Sequence, residues 1–388
     1  MTFAELDRPA TRCARRLDLS AGRRVAASLP PTLASCELLH ALSRRGAVLA
    51  PLGPGGPGPP LGREDPGVSL RDTIDPGAVH TVIGTSGTTG EAKRIELTYA
   101  NHLASAAAAA DAVGVDPGDR WLCPLPLHHV AGLNVLIRGV INRTTVILHE
   151  GFDAERVRAT LEAGEVTLAS LVPTMLARLR DAGLARAPGL RAIALGGGPI
   201  PAELLDWAAA TGLPVVPVYG MTETCSQVVA GSPGRPLRGV EVRIAAGDEI
   251  LIRGPMVSAG SLAADGWLHT GDRGCLDERG LLHVEGRLKE LIVTGGENVA
   301  PLEVERVLLA HPAVADAGVA GLPDPDWGEA VTGFVVLSAP TSAQELIGWC
   351  RERLAPHKVP KAVHEIDELP RNASGKLLRG RLWEAKNQ

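Results

Sequence analysis

The sequence predicts an α/β protein with doubly wound sheets in a large N-terminal domain, a small β-subdomain, and a small mobile α+β C-terminal domain. Three observations predict this. Strand-like and helix-like segments alternate from residue 144 to 219, which is typical of parallel βαβ units. Residues 240–253 alternate with period two, which predicts a β-hairpin. After Gly286 the composition shifts, so we predict domains at 1–287 and 288–388.

Few strong signals occur in the first eighty residues. Residues 33–44 fit an amphipathic helix and 47–49 a short strand. The Pro/Gly-rich stretch 51–60 predicts a surface loop, since proline and glycine oppose regular structure. The apolar run 79–83 then predicts a buried strand.

The alternating region supplies the central sheet. Strands are predicted at 144–148, 166–171, 192–195 and 215–218, and helices at 153–163, 174–182 and 201–210. Ligands of such sheets bind beyond the carboxyl ends of the strands. The segments 196–199 and 219–223 both follow predicted strands, so we expect them at a ligand site.

The C-terminal region has a different pattern. A helix is predicted at 301–311, strands near 314–319 and 333–337, and a helix near 342–354. This mixture of short strands and helices predicts a compact α+β fold.

Bulk composition limits the class of partner. The 388 residues carry a net charge of −5 with mixed signs and only 3% aromatic residues, which disfavours binding to nucleic acid or to anionic membranes. No apolar run approaches the ~20 residues that span a bilayer. The six cysteines form no C-x-x-C pair, so neither a zinc site nor a disulfide framework is indicated. We therefore expect a cytoplasmic protein that acts on small molecules.

A polar loop follows the strand at 79–83. Residues 85–94 combine hydroxyl side chains, glycines and two terminal cations, groups that can surround a polyphosphate. The loop is not a P-loop, because its lysine, Lys93, comes three residues after the last glycine. Alone, such a loop could equally be a solvated turn.

Four further segments carry reactive groups. Residues 219–223 (Tyr-Gly-Met-Thr-Glu) place an aromatic ring, a hydroxyl and a carboxylate on one turn. Residues 269–272 place Asp272 on a turn, where its carboxylate could accept hydrogen bonds from the ribose hydroxyls. Arg287 offers a cation near the domain boundary, and Lys376 ends the segment 370–376. Taken singly, these could be a capped turn, a plain turn, a surface ion pair and a solvated lysine.

In this order and spacing, the five motifs resemble the adenylate-forming superfamily of acyl-CoA synthetases, carrier-protein-loading adenylation domains and luciferases. The resemblance runs from about residue 79 to 380. It implies an acid–thiol ligase with ATP, Mg²⁺ and CoA. A carboxylate attacks the α-phosphorus of ATP to give acyl-AMP and pyrophosphate, and a thiol then displaces AMP.

The resemblance also implies site residues in the N-terminal adenylation domain. The β- and γ-phosphates are assigned to Thr85, Ser86, Gly87, Thr88, Thr89 and Lys93, the adenine to Gly196, Gly197, Gly198 and Tyr219, and the ribose to Asp272 and Arg287. Thr222 and Glu223 serve the α-phosphate, and Glu223 and Thr85 the metal. These groups meet the need for cations and donors where charge collects in phosphoryl transfer.

The C-terminal lid domain receives the remaining roles. Lys376 matches the superfamily lysine that bridges the carboxylate and the α-phosphate. Lys289 falls at the hinge about which the superfamily rotates this domain between half-reactions. The segment Gly295, Gly296, Glu297 and Asn298 is assigned to the thiol tunnel. Ala300 departs from the aromatic or polar residue common at its position.

The acid pocket resembles that of o-succinylbenzoate–CoA ligases of menaquinone synthesis. Residues 125–132 match the superfamily Pro-Leu-Phe-His segment, with His128 in place of the aromatic residue and His129 as the catalytic and substrate-binding histidine. Thr174 and Gly220 are further substrate-binding assignments. Since the acid has a second carboxylate, which is unfavourable when buried unpaired, we assign Arg138 as its partner; a solvent-facing arginine is the alternative.

Other functions stay open at this stage. The chain could activate another aryl or short-chain acid, load a carrier protein, or bind nucleotide without catalysis. The joint presence of Glu223, Asp272, Arg287 and Lys376 argues against the last. Homodimers are common in the superfamily, although no segment here indicates an interface.

Overall fold

The structure is a computed structural model that describes residues 3–19, 22–85, 93–371 and 377–386. The chain divides into two compact units. The first unit comprises residues 1–197, 208–242 and 252–268, and the second comprises residues 198–207, 243–251 and 269–388. Each unit is described by itself.

The secondary structure of the described residues is mixed α/β, which confirms the predicted fold class. The α-helices are Phe3–Arg16 (α1), Leu33–Arg45 (α2), Tyr99–Val113 (α3), Val130–Ile141 (α4), Ala154–Glu162 (α5), Pro173–Asp181 (α6), Ala202–Ala210 (α7), Pro301–Leu309 (α8), Ala343–Arg351 (α9) and Leu382–Ala385 (α10). The strands are Arg24–Ser28 (β1), Val48–Leu52 (β2), Val79–Thr85 (β3), Lys93–Thr98 (β4), Arg120–Cys123 (β5), Thr145–Leu148 (β6), Leu168–Leu171 (β7), Ala192–Leu195 (β8), Val215–Met221 (β9), Ser226–Gly231 (β10), Gly234–Pro236 (β11), Glu241–Ile244 (β12), Glu249–Arg253 (β13), Leu268–Leu276 (β14), Leu282–Arg287 (β15), Ile292–Thr294 (β16), Glu297–Val299 (β17), Val314–Asp324 (β18), Gly328–Leu337 (β19) and Ala362–Glu365 (β20).

The strands of the first unit that the structure describes are paired in two runs. One has the order β1-β2-β3-β4, parallel except for the antiparallel β3–β4 pair. The other runs β6-β5-β7-β8-β9 in parallel and continues antiparallel into β10 and β11. Parallel neighbours require crossover connections, and the segments that connect these strands along the chain contain α4, α5, α6 and α7. The alternation predicted for residues 144–219 is therefore confirmed.

Helices α3 and α4 support the site of this unit. At the start of α3, Thr98 and Asn101 form a reciprocal capping box, which satisfies backbone donors at the first turn. Close packing sets the position of α4. A Cβ atom at Gly132 would lie 2.4 Å from the carbonyl oxygen of Pro126, so a residue larger than glycine would displace the helix.

The second unit contains the antiparallel β14–β15 pair and a five-stranded sheet. In that sheet β17-β16-β19-β18 are antiparallel neighbours, and β20 pairs in parallel with β19. Its buried core includes Val304 and Leu308 of α8, Leu346 of α9, and Val331 and Val335 of β19. The predicted α+β pattern of this region is confirmed.

The N-terminal region differs from its prediction. Helix α1 and strand β1 were not predicted, because α1 contains Pro9 and many charged residues, while its buried face includes the small side chains of Ala10 and Ala14. Pro51 lies inside β2 rather than in the predicted loop. Among the described residues, no helix is both long and apolar enough to cross a membrane.

Two histidines lie in the core of the first unit. The exposed fractions of His80 and His102 are 3% and 2%. The His80 ring stacks on Tyr99, with the centroids 4.1 Å apart, and His102 contacts Thr81 and Asn134 through its two ring nitrogens. Burial lowers the pKa of His80 well below its usual value and that of His102 to about 4.

We predict that stability falls as pH decreases from 6.5 towards 4. The unfolded chain protonates these histidines near pH 6.5, whereas the folded chain keeps them neutral, so acid favours unfolding. Each histidine that stays neutral in the folded state lowers the free energy of unfolding of the protein by about 2 kcal/mol between pH 7 and pH 5. Urea unfolding at pH 7, 6 and 5 measures this slope.

His80→Phe keeps the stacked ring but cannot titrate, so its slope should be shallower than that of the parent. Gln344→Met, at an exposed glutamine that does not titrate, is the control and should keep the parent slope. Equal slopes in all three proteins would contradict the assignment.

Candidate active site

The ends of the predicted phosphate loop are held together by strand pairing. Thr85 and Lys93 are cross-strand partners at the open end of the β3–β4 pair, and the Thr85 hydroxyl lies 3.3 Å from the Lys93 carbonyl oxygen, to which it donates. Ser86, Gly87, Thr88 and Thr89 lie outside the described residues. The structure thus places the first and last predicted phosphate contacts side by side.

Thr222 and Glu223 lie on a short 3₁₀ turn directly after β9. The Glu223 carboxylate lies 3.9 Å from the Lys93 ammonium, and the lysine side chain is 56% exposed against 19% for the glutamate. The backbone carbonyl of Glu223 accepts a hydrogen bond from the Ser258 amide at 2.8 Å. Lys93, a predicted phosphate ligand, and Glu223, one of the two predicted metal ligands, therefore meet in the first unit.

The chain reverses after this turn through two strained residues. Cys225 and Ser226 have φ values of 51° and 91°, which residues other than glycine rarely adopt. The Cys225 carbonyl oxygen accepts hydrogen bonds from the Ser105 hydroxyl at 2.6 Å and from the Asn134 amide at 2.8 Å. These buried bonds from α3 and α4 stabilise the reversal and so fix the turn that carries Glu223.

Arg138 lies on the last turn of α4 and is 2% exposed, so the solvent-facing alternative is wrong. Its Nη1 donates to Gln227 Oε1 at 3.1 Å, and its Nη2 donates to Ser105 Oγ at 2.9 Å. Burial lowers its pKa to about 10, which leaves the guanidinium charged at neutral pH. No carboxylate among the described residues forms an ion pair with it.

The other predicted acid-binding residues occupy element ends. His129 is the residue before α4, and its ring lies 4.3 Å from that of His128. Burial, followed by the neighbouring His128, lowers the pKa of His129. Thr174 is half-buried on the first turn of α6. Gly220 lies in β9 opposite Gln227, where a Cβ atom would approach the Gln227 Cα to 2.7 Å.

The predicted adenine-binding residues lie at or just after the ends of two neighbouring parallel strands. Gly196 and Gly197 come directly after β8, and Tyr219 lies near the end of β9. A Cβ atom at Gly196 would lie 2.7 Å from the Val218 carbonyl oxygen, so only glycine allows the strands to approach here. Gly198 is exposed and falls in the second unit.

Asp272 and Arg287, the predicted ribose pair, meet in the second unit. They are cross-strand partners in β14 and β15, and Arg287 Nε lies 2.7 Å from Asp272 Oδ1. Asp272 is buried whereas Arg287 is about half exposed. The arginine therefore orients one carboxylate oxygen of Asp272.

Lys289 and the predicted thiol-tunnel segment lie further along the second unit. Lys289 is exposed on a 3₁₀ turn that follows β15. Gly295 and Gly296 form the two-residue turn between β16 and β17, with φ values of 59° and 85°, as tight hairpins require. Glu297 and Asn298 follow in β17, and all four residues of the segment are exposed.

Lys376 lies outside the described residues, but both flanks of its segment are described. Arg371 and Leu377 form an isolated antiparallel bridge, and the Leu378 amide donates to the Pro370 carbonyl at 2.8 Å. Arg371 also pairs with Asp316 at 2.8 Å. The chain on either side of Lys376 is therefore anchored in the second unit.

Sequence reasoning missed three buried polar residues of the hydrogen-bond network that includes Arg138. Ser105, Asn134 and Gln227 are each less than 5% exposed and are flanked by apolar residues in α3, α4 and β10. A polar residue in such a run signals a buried hydrogen bond. It does not identify the partner, which only the fold supplies.

Known families match both parts of the chain. The family described as AMP-binding enzyme matches residues 59–262, and its C-terminal domain family matches residues 303–376. A 2-succinylbenzoate–CoA ligase of Bacillus licheniformis is 45% identical over 346 residues, covering 82% of this chain and 72% of the relative.

Solved structures agree with this sequence similarity. The o-succinylbenzoate CoA synthetase of Bacillus subtilis, in complex with its acyl-adenylate intermediate, matches with a TM-score of 0.89 and 36% identity, over 98% of this chain and 93% of that one. The same synthetase in complex with ATP and a magnesium ion matches with a TM-score of 0.87, 36% identity and coverage of 98% and 94%. This chain belongs to the AMP-binding enzyme family, and the curated relatives that it resembles are named 2-succinylbenzoate–CoA ligases.

Proposed function

We propose that this chain joins o-succinylbenzoate to CoA, consuming ATP and releasing AMP and pyrophosphate, as a step of menaquinone biosynthesis. The family membership supports the adenylate-forming reaction. The observation that carries the choice of acid is the buried Arg138, which has no carboxylate partner among the described residues. An acid with a second carboxylate would supply the missing anion.

In the first half-reaction, an oxygen of the succinyl carboxylate attacks the α-phosphorus. A new P–O bond forms, and the bond to pyrophosphate breaks. Negative charge collects on the phosphoryl oxygens and on the leaving group, so fixed cations and donors lower the barrier. We assign Lys93 and the loop hydroxyls to the leaving phosphates, Thr222 to the α-phosphate, and Lys376 to the reacting oxygens.

The residues present fit Mg²⁺ bound with ATP. The magnesium ion commonly uses one or two protein carboxylates and completes its shell with phosphate oxygens and water. Glu223 is such a carboxylate. In the part of the chain that the structure describes, no three or more His, Cys, Asp or Glu side chains are grouped so that they could hold a metal ion by themselves. We propose that Glu223 of the segment 219–223 and Thr85 of the polar loop 85–94 hold the ion, which would neutralise phosphate charge.

In the second half-reaction, the CoA thiol attacks the acyl carbonyl carbon, a thioester forms, and the C–O bond to AMP breaks. We assign His129 to the reacting acid, Asp272 and Arg287 to the ribose, and the exposed turn at 295–298 to the thiol path. Residues 288–388 are proposed to rotate about Lys289. A cytoplasmic location belongs to the proposal, and the homodimer stays a prediction.

The proposed substrate predicts a selective enzyme. We expect AMP formation that requires CoA and is at least about tenfold faster with o-succinylbenzoate than with benzoate, a short fatty acid or a long one, since only this acid can pair with Arg138. A coupled assay of AMP release with each acid measures this. Higher activity with another acid would keep the chemistry and overturn the assigned substrate.

The role of Lys376 predicts unequal effects on the two half-reactions. Lys376→Ala should slow o-succinylbenzoate-dependent pyrophosphate exchange by about 10²–10³-fold, which is typical for loss of one contact to developing charge. Thioester formation from supplied acyl-adenylate should change far less. Lys386→Ala, which removes a lysine stacked on Trp383, is the control and should leave both rates unchanged. Equal losses in both half-reactions would count against the assignment.

Arg138 should determine selectivity between a diacid and its monoacid analogue. In Arg138→Met, kcat/KM for o-succinylbenzoate should fall about 10–100-fold, because a hydrogen bond to a charged group is lost. The value for 4-oxo-4-phenylbutanoate, which lacks the ring carboxylate, should change little. Arg180→Met, at an exposed arginine paired with Asp181, is the control. Parallel losses with both acids would refute this role.

A further inference from the structure

Gln227 is a buried polar residue in an apolar strand. It lies in β10 beside Val228 and Val229 and is 4% exposed. Its cross-strand neighbour is Gly220, and the absence of a side chain at Gly220 lets the two backbones approach closely. Gln227 therefore lies against two residues already assigned to the acid, Gly220 and Arg138.

Arg138 determines the orientation of the Gln227 amide. The guanidinium can only donate hydrogen bonds, and its Nη1 lies 3.1 Å from Gln227 Oε1. The opposite orientation would place the amide NH₂ group against another donor. The Gln227 NH₂ group is consequently directed away from Arg138 Nη1, and Nε2 is buried without a hydrogen-bond partner among the described residues.

A second buried donor, Arg138 Nε, also has no acceptor in the described part of the chain. The neighbouring Ser105 hydroxyl cannot donate to an incoming anion, because it accepts from Arg138 Nη2 and donates to the Cys225 carbonyl. The cluster of Arg138, Ser105 and Gln227 thus has a net positive charge and two unused N–H donors.

Such a cluster fits an anion with acceptor oxygens. A buried cation without a counter-ion is strongly unfavourable, and each unused buried donor adds to that penalty. We infer that Gln227 is a second specificity-determining residue, which donates through Nε2 to the idle carboxylate of the acid, directly or through one water, while Arg138 supplies the charge. This inference rests on the proposed function.

The inference narrows the class of substrate. An acid without the second carboxylate would leave both donors unpaired, and sites built to bond a polar group reject analogues that lack it. The enzyme should therefore favour aryl acids that carry a second carboxylate on the ring, ortho to the side-chain ketone, over monocarboxylic acids of equal size.

The test compares o-succinylbenzoate with 4-oxo-4-phenylbutanoate in three variants. Gln227→Met keeps the side-chain length but removes the donor, and should lower kcat/KM for the diacid about 10–100-fold and for the monoacid by less than about threefold. Gln227→Glu provides an internal anion for Arg138, so it should remain folded and lose at least about 100-fold with the diacid alone. Gln344→Met, at an exposed glutamine of α9, is the matched control.

The outcomes separate the inference from the proposed function. A parent enzyme that uses both acids equally would overturn the proposed function and this inference with it. If the parent discriminates and both Gln227 variants discriminate as strongly, the inference alone is wrong. Loss of activity with both acids in a Gln227→Glu protein of parental melting temperature would also overturn it, because the effect would then not depend on the second carboxylate.

Discussion

The carbonyl group of Cys225 is the point on which the geometry of the first unit's site depends. Its oxygen accepts bonds from side chains of α3 and α4, which hold the backbone in a conformation that L-residues avoid. The turn before it carries Thr222 and Glu223. Because the strained residues are held by two rigid helices, the carboxylate is positioned before any ligand arrives, and little ordering remains to be done on binding.

The same hydrogen bonds join two functions of the proposed site. Ser105 accepts from Arg138 and donates to Cys225, so the cation assigned to the acid and the turn assigned to the nucleotide share one hydroxyl group. His102 extends this network through Asn134 to Thr81 in β3. In a medium of low dielectric constant, such connected bonds strengthen one another and specify one arrangement of the packed elements.

Long apolar runs made much of the fold predictable. The strands and helices predicted between residues 144 and 219 match the observed ones closely, because short apolar runs alternate there with longer segments of helical period. Helix α1 was missed, since its buried face includes small alanines and Pro9 lies inside it. In the site, the motifs led to a set of predicted functional residues that includes Arg138, and their roles stay predictions. Its partners Ser105 and Gln227 were not predictable, because hydrogen bonds across distant elements leave no pattern in the sequence.

The burial of Arg138 has an evolutionary consequence. A guanidinium buried without a carboxylate partner among the described residues lowers the stability of the ligand-free fold, while its own hydrogen bonds satisfy Ser105 and Gln227. If Arg138 binds the second carboxylate as proposed, an enzyme that no longer uses this acid gains nothing from the buried charge. In descendants that no longer use the acid, position 138 should change towards methionine or leucine together with positions 105 and 227, which would otherwise lose their buried donor.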